Sequence, residues 1–137
     1  MIALDTSALF ALLNRRDPDH ERVRVALMTD RGPYVVPLGI MAEIAYLVEQ
    51  RLGQRVLDLF LADLESGAYA IDCGENDLPR VRALVQRYQD LPLGYADAAV
   101  IACAERCGGR VMTLDLRDFG IVAREGKLSL LPGPGAG

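Results

Sequence analysis

Cysteine is scarce in this chain and histidine scarcer. Three cysteines, Cys73, Cys103 and Cys107, are an odd number and do not suggest a disulfide scaffold. Cys103 and Cys107 stand one helical turn apart, a spacing that superficially suits a metal. There is no second cysteine pair and His20 is the only histidine, so both read as small core residues. His20 itself reads as a surface residue in the first turn of a polar-faced helix, not as a catalytic base. No apolar run reaches the length of a membrane span. The opening Met1-Ile2-Ala3-Leu4-Asp5 lacks the basic start and long apolar run of a signal peptide, so a cytoplasmic location is expected. Nothing resembles a P-loop or a dinucleotide fingerprint, and no internal repeat is visible.

What is present is an ordinary globular composition, 51% hydrophobic and 25% charged, in 137 residues. That length suits one domain with one core, expected over residues 1–132, with a disordered Pro-Gly-rich tail at 133–137. The net charge of −4 taken alone argues against nonspecific nucleic-acid binding. That inference fails if several of the nineteen acids gather round a metal, because the remainder of the surface is then slightly basic.

The organising stretch runs from Gly94 to Gly120. It reads as a helix over 95–107, a glycine stop at Gly108, a short apolar strand over 110–114, and an acid-rich turn. Ahead of it, Ile2 to Leu4 form a strand that Asp5 ends, and Thr6 or Ser7 caps a helix through Leu13. Asp17-Pro18 reads as the start of a helix to about Asp30. A strand follows over 34–36, then helices over 40–52 and 54–66, closed by Gly53 and Gly67. A third strand is expected over 69–71, and a helix capped by Asn76 or Asp77 runs to about Gln89. Leu128 to Leu131 offers a fifth strand. Short apolar strands alternating with helices predict an α/β fold with a mostly parallel sheet of four to five strands covered on both faces. Such sheets carry functional residues at the carboxyl ends of their strands, where Asp5 and Asp115 stand.

Asp5, Glu43, Asp97 and Asp115 are the candidate site residues, with Asp118 as an auxiliary. Each has a bland alternative: helix capping for Asp5, dipole compensation for Asp97, an Asx turn for Asp115 and Asp118, plain solvation for Glu43. Position alters the balance. Asp97 shares a helix face with Val100, Ile101 and Ala104, and Glu43 borders an apolar stripe beside Ile40 and Leu47. Carboxylates gathered in one pocket raise one another's pKa, and a divalent cation removes that penalty. An all-oxygen site suits Mg²⁺ or Mn²⁺, which polarise phosphoryl groups and activate water.

Asp5-Thr6-Ser7-Ala8-Leu9, Glu43, Leu93-Gly94-Tyr95-Ala96-Asp97-Ala98 and Thr113-Leu114-Asp115-Leu116-Arg117-Asp118-Phe119 together resemble the PIN domain. The size, and Leu130-Leu131-Pro132 near the end, are similar to the VapC-type toxins of bacterial and archaeal toxin–antitoxin pairs. The resemblance spans about residues 1–132 and rests on the order and spacing of the acids. It implies an α/β/α sandwich and a metal-dependent endoribonuclease that cleaves RNA with metal-activated water, leaving a 5′-phosphate and a 3′-hydroxyl. It carries the family's acids onto Asp5, Glu43, Asp97 and Asp115, and a more variable one onto Asp118. Thr6 and Thr113 match hydroxyl positions near the site, with backbone capping as their alternative. A small antitoxin partner and a toxin homodimer are also implied.

Two other functions compete. A phosphoacceptor or phosphatase domain also uses strand-end aspartates, but a haloacid-dehalogenase-like motif wants an acid where Ser7 stands, and a receiver domain wants a lysine that 110–114 lacks. A noncatalytic RNA-binding or protein-interaction module on the same fold has no need of the full acid set. Arg15, Arg16, Arg22, Arg24 and Arg117 are available to phosphate, although solvated surface arginine is their default role.

Overall fold

Ile2-Ala3-Leu4 has no polar side chain to offer water, and all three residues are buried as the central strand β1 (Ile2–Leu4). In the computed structural model, which describes residues 1–30, 32–126 and 128–133, the chain continues through α1 (Thr6–Leu13), α2 (His20–Thr29) and β2 (Tyr34–Pro37). A 3₁₀ turn (Leu38–Ile40) leads into α3 (Met41–Leu52), followed by α4 (Gln54–Ser66) and β3 (Ala70–Asp72). The second half comprises α5 (Leu78–Arg87), α6 (Tyr95–Arg106), β4 (Arg110–Met112), α7 (Leu116–Glu125) and β5 (Ser129–Leu131).

The sheet order is β3-β2-β1-β4-β5 and every pairing is parallel. The chain steps outward from β1 to β3 and then returns to β4 on the other side of β1. Right-handed crossovers therefore put α1 to α4 on one face and α5 to α7 on the other. The packing agrees: α1 touches α2 and α3, and α3 touches α4, while α5 lies on α6 and α6 lies on β1, β2 and β4. The direction of winding reverses between β1 and β4. A crevice forms outside the carboxyl ends of strands at such a point.

The expected α/β/α sandwich is thus the observed fold. α6 departs from the expectation of one apolar face: Ala98 and Val100 to Ala104 are all buried, so the helix is nearly enclosed. Gly108 takes φ +98° after it, and the Gly109 N–H donates to the Ala104 carbonyl at 2.7 Å, as a left-handed helix stop requires. The cysteines follow the expectation in part: Cys103 is buried in α6, Cys107 is half-buried and Cys73 is exposed.

Several boundaries differ from expectation. The Asp17 side chain accepts from the Asp19 N–H at 2.8 Å, making a turn that delays α2 until His20. β3 lies one residue later than expected, α5 stops at Arg87, and β4 stops at Met112. The largest difference is α7, a whole helix where an acid-rich turn was expected. It is the crossover that a parallel β4–β5 pair demands. No helix among the described residues is long and apolar enough to cross a membrane. The expected tail lies outside the described residues apart from Gly133.

Candidate active site

The chain turns from β1 into α1 at a single residue, Asp5. Its backbone is extended (φ −92°, ψ 173°), and its Oδ1 accepts from the Ala8 N–H at 2.9 Å, so Asp5 itself caps α1. This corrects the expectation that Thr6 or Ser7 does so. The Ser7 hydroxyl instead donates to Asp5 at 2.8 Å and accepts from the Leu114 N–H at 3.0 Å. Thr113 Oγ1, fully buried just past β4, donates to Asp5 Oδ2 at 2.5 Å and accepts from the Asp115 N–H at 2.9 Å. Two relays thus run from the backbone of residues 114 and 115 through a hydroxyl to the two oxygens of Asp5. Sequence reading gave Ser7 no place in the site; the available signal was a hydroxyl two residues beyond a strand-end aspartate. Thr6 makes no side-chain hydrogen bond among the described residues.

Asp5 is only 4% exposed. Burial pushes its carboxyl up to about 6, against the opposing pull of its hydrogen bonds from Thr113, Ala8 and Ser7, and the charge of Asp115 adds to the rise. Asp115 caps α7, accepting from the Asp118 N–H at 3.3 Å. Asp118 is buried, and its Oδ1 has no hydrogen-bond partner among the described residues.

Asp97 sits in the first turn of α6, half-buried. Its carboxyl is also pushed up to about 6, first by burial, then by the charges of Asp115, Asp5, Glu43 and Asp118. The charges of these four acids all reach Asp97, and two of them, Asp5 and Asp115, are tied together through Thr113 outside the ends of β1 and β4. Glu43 departs from its expected half-sheltered position: it is exposed in the first turn of α3, whose buried residues are Ile44 and Val48. Among the described residues, no three acid, histidine or cysteine side chains are drawn tightly enough together to make a ready metal cage. None of the ion pairs among the described residues involves these five acids.

This geometry has relatives. Residues 2–125 match the family model described as "PIN domain". The chain belongs to the PIN-domain family. It is also 36% identical over 118 residues to a curated Mycobacterium tuberculosis protein named Ribonuclease VapC26, covering 85% of this chain and 87% of that one. The fold matches M. tuberculosis VapC20, a sarcin–ricin-loop-cleaving toxin, with TM-score 0.77 at 22% identity over 89% of this chain and 95% of that one. It also matches a chain of Rickettsia felis VapBC2 bound to a promoter DNA fragment, with TM-score 0.65 at 19% identity over 95% and 97%. Those two structural likenesses concern the fold.

The donor set of this PIN domain fits a hard cation. Asp97 is half-buried with no hydrogen bond or ion pair among the described residues, and Asp118 presents an orphaned buried oxygen. Both features cost free energy unless a positive group satisfies them. All the available donors are oxygens, as Mg²⁺ and Mn²⁺ prefer. The other candidates lie elsewhere. His20 Nδ1 donates to the Ala11 carbonyl at 2.9 Å, tying α2 to α1. Arg22 and Arg24 pair with Asp19 and Glu21 on α2. Arg117 is exposed in the first turn of α7, between Asp115 and Asp118 in sequence.

Proposed function

We propose that this PIN domain is a divalent-cation-dependent endoribonuclease, the toxin of a toxin–antitoxin pair, acting in the cytoplasm as a homodimer. The observation that carries the reading is Asp97: a half-buried carboxylate, unpartnered among the described residues and raised by the charges of four other acids. The kinship with a protein named Ribonuclease VapC26 supports the same activity.

Asp5, Asp97, Asp115 and Glu43 would hold Mg²⁺ or Mn²⁺, with Asp118 assisting. Such an ion supplies positive charge for the phosphoryl oxygens and activates water for attack on phosphorus. The protein's part is positioning. Ser7 and Thr113 occupy the Asp5 oxygens from one side and lock the carboxylate against rotation. Asp115 is fixed through its cap on α7. Asp97 and Asp118 bring charge that the fold leaves unneutralised. Glu43 sits on an exposed turn, where its longer side chain can swing toward the crevice. Arg117, exposed between Asp115 and Asp118 in sequence, would meet a non-bridging phosphate oxygen of the RNA. The products are a 5′-phosphate and a 3′-hydroxyl.

An antitoxin has a seat as well. A groove of about 1060 Å³ runs between α1, α2, the end of α3 and α4. Its apolar lining includes Leu13, Val56, Leu59 and the buried Phe60, and Arg15, Arg16, Arg51 and Arg55 line it too. An amphipathic segment of a small partner with acidic flanks fits this combination. The presence of a VapBC2 structure among the structural relatives supports an antitoxin partner.

The test is direct. Purified protein is incubated with single-stranded and structured RNA in Mg²⁺, Mn²⁺ or chelator, alongside Asp97→Asn. Cleavage by wild type in metal alone is expected. No cleavage by soluble wild type under any of these conditions would favour the noncatalytic PIN-like RNA-binding or protein-interaction module.

A further inference from the structure

A separate cavity of about 260 Å³ opens on the same carboxyl edge of the sheet, beyond β2 and β3. Its walls include Leu38 after β2, Glu75 after β3, Leu78 of α5, and Tyr95 and Ala99 of α6. Tyr95 and Ala99 are four residues apart and share one flank of α6. Asp97 is about 200° round the helix from Tyr95, on the flank that meets the other acids. The first turn of α6 is therefore a partition with the acid crevice on one side and this cavity on the other.

The cavity is apolar at its rim. Tyr95 is 61% exposed, Leu78 67% and Leu38 48%. One exposed apolar side chain is unremarked on a protein surface, but three round one concavity mark a binding place. An exposed aromatic ring beside a nuclease site is a platform for an unstacked base.

The polar lining is acidic and rigid. Arg106 of α6 donates to Asp72 at 2.5 Å and to Asp77 at 2.7 Å, so it clamps the end of β3 to the start of α5. Gly74, within the clamped loop, adopts φ +62°, and a Cβ there would meet Asp77 Oδ2 at 2.9 Å. The clamp fixes the loop that carries Glu75, whose carboxylate has no hydrogen bond or ion pair among the described residues. One arginine against two aspartates and a glutamate leaves the cavity negative, so it repels phosphate and accepts N–H donors. Guanine presents N1–H and N2–H side by side on its Watson–Crick edge, the arrangement a carboxylate accepts bidentately.

We propose that this cavity is a base-binding subsite: Tyr95 stacks on an unpaired RNA base next to the cleaved phosphate, and Glu75 accepts its N–H donors, with guanine preferred. The inference rests on the ribonuclease reading for its place in catalysis, although binding of the base does not.

Two measurements test it. In the first, fluorescence anisotropy in Mg²⁺ follows short single-stranded oligonucleotides binding to full-length Asp97→Asn protein. Each oligonucleotide carries one guanosine, or inosine, which lacks the N2 amine, at the same position. Tighter binding of guanosine than inosine is expected. Adding Tyr95→Ala should weaken both about tenfold, and Tyr95→Phe should restore them. Glu75→Gln should weaken guanosine binding more than inosine binding, since inosine offers the carboxylate only its N1–H, and so remove the preference for guanosine. In the second, wild type cleaves a random-sequence RNA pool and the product ends are sequenced. One fixed position enriched in guanosine, lost in Glu75→Gln, is expected. Equal affinities for the two bases, or Tyr95→Ala binding as well as its parent, would overturn the subsite. A wild type that cleaves nothing would overturn the ribonuclease reading instead, and the binding measurement would still decide the subsite.

Discussion

Thr113 Oγ1 donates to Asp5 Oδ2 at 2.5 Å across 108 residues of sequence, joining the end of β4 to the end of β1. The same hydroxyl accepts from the Asp115 N–H, so one side chain sets both strand-end aspartates. Ser7 makes the matching connection through Leu114. The winding of the sheet reverses between these two strands, and the hydroxyl pair is what makes the crevice there a defined site.

Thr113→Val keeps the shape of the side chain and removes its hydroxyl. It should leave a buried Asp5 oxygen and the Asp115 N–H short of a partner, costing about 1–3 kcal/mol. Thr113→Ser should recover most of that in urea melts. Ribonuclease activity should fall in Thr113→Val and return in Thr113→Ser. Wild-type stability in Thr113→Val would remove the hydroxyl from the account.

Without metal, the stability of the protein should depend on pH with an unusual sign. Burial raises Asp5 to about 6 from an ordinary carboxyl value of 3.8. Between those values the folded state holds a proton that the unfolded state has released, so stability falls as pH rises from about 4 through about 6. For Asp5 alone the loss is on the order of 2–3 kcal/mol, at about 1.4 kcal/mol per pKa unit. Asp97 is raised in the same direction and adds to the slope. Urea melts in chelator across this range should show the fall, and Asp97→Asn should flatten it. A slope of the opposite sign in wild type would contradict the burial of these acids.

Removing a repelling charge should stabilise the metal-free protein. Asp97→Asn is expected to keep or raise the melting temperature in chelator while abolishing cleavage, the usual trade at a functional site. Mg²⁺ or Mn²⁺ should raise the melting temperature of wild type more than that of the variant, by mass action on the folded state. Equal metal-induced shifts would count against Asp97 as a ligand.

A broad cytoplasmic ribonuclease harms its host unless restrained. Expression of the chain alone should stop growth, and co-expression of a small protein encoded beside it should restore growth. Asp5→Ala should lose toxicity yet still co-purify with that protein, because Asp5 does not line the groove between α1, α2 and α4 proposed to receive it. Placing glutamate at Arg51 and Arg55 should weaken co-purification while sparing cleavage. Unimpaired growth on strong expression of soluble wild type would contradict the toxin reading.

Much of this architecture was legible because its strands are short apolar runs and several of its helices end at or just before glycine. The stops at Gly53, Gly67 and Gly108 fall where left-handed backbone lets a helix end. What local pattern hid was α7. Gly120 interrupts its sequence, and its stability comes from burying Phe119 and Val122 in a crossover that only the parallel pairing of β4 with β5 requires. The acids at strand ends were equally visible, since Asp5 follows β1 directly and Asp115 comes three residues after the end of β4. The role of Ser7 was not, because its value depends on Leu114, which is distant in sequence and close only once the strands pair. Glu43 illustrates the converse: its place beside an apolar stripe suggested shelter, yet its turn of α3 faces solvent.

The proposed function requires these acids to hold a divalent cation for phosphodiester hydrolysis. It is tested most directly by soaking crystals of the protein in Mn²⁺ and recording anomalous diffraction above and below the manganese edge. An anomalous peak is expected in the β1–β4 crevice, coordinated by Asp5, Asp97 and Asp115, with Glu43 or Asp118 drawn toward it, and it should be lost in Asp97→Asn. Manganese bound elsewhere on the surface, with none between Asp5, Asp97 and Asp115, would contradict it.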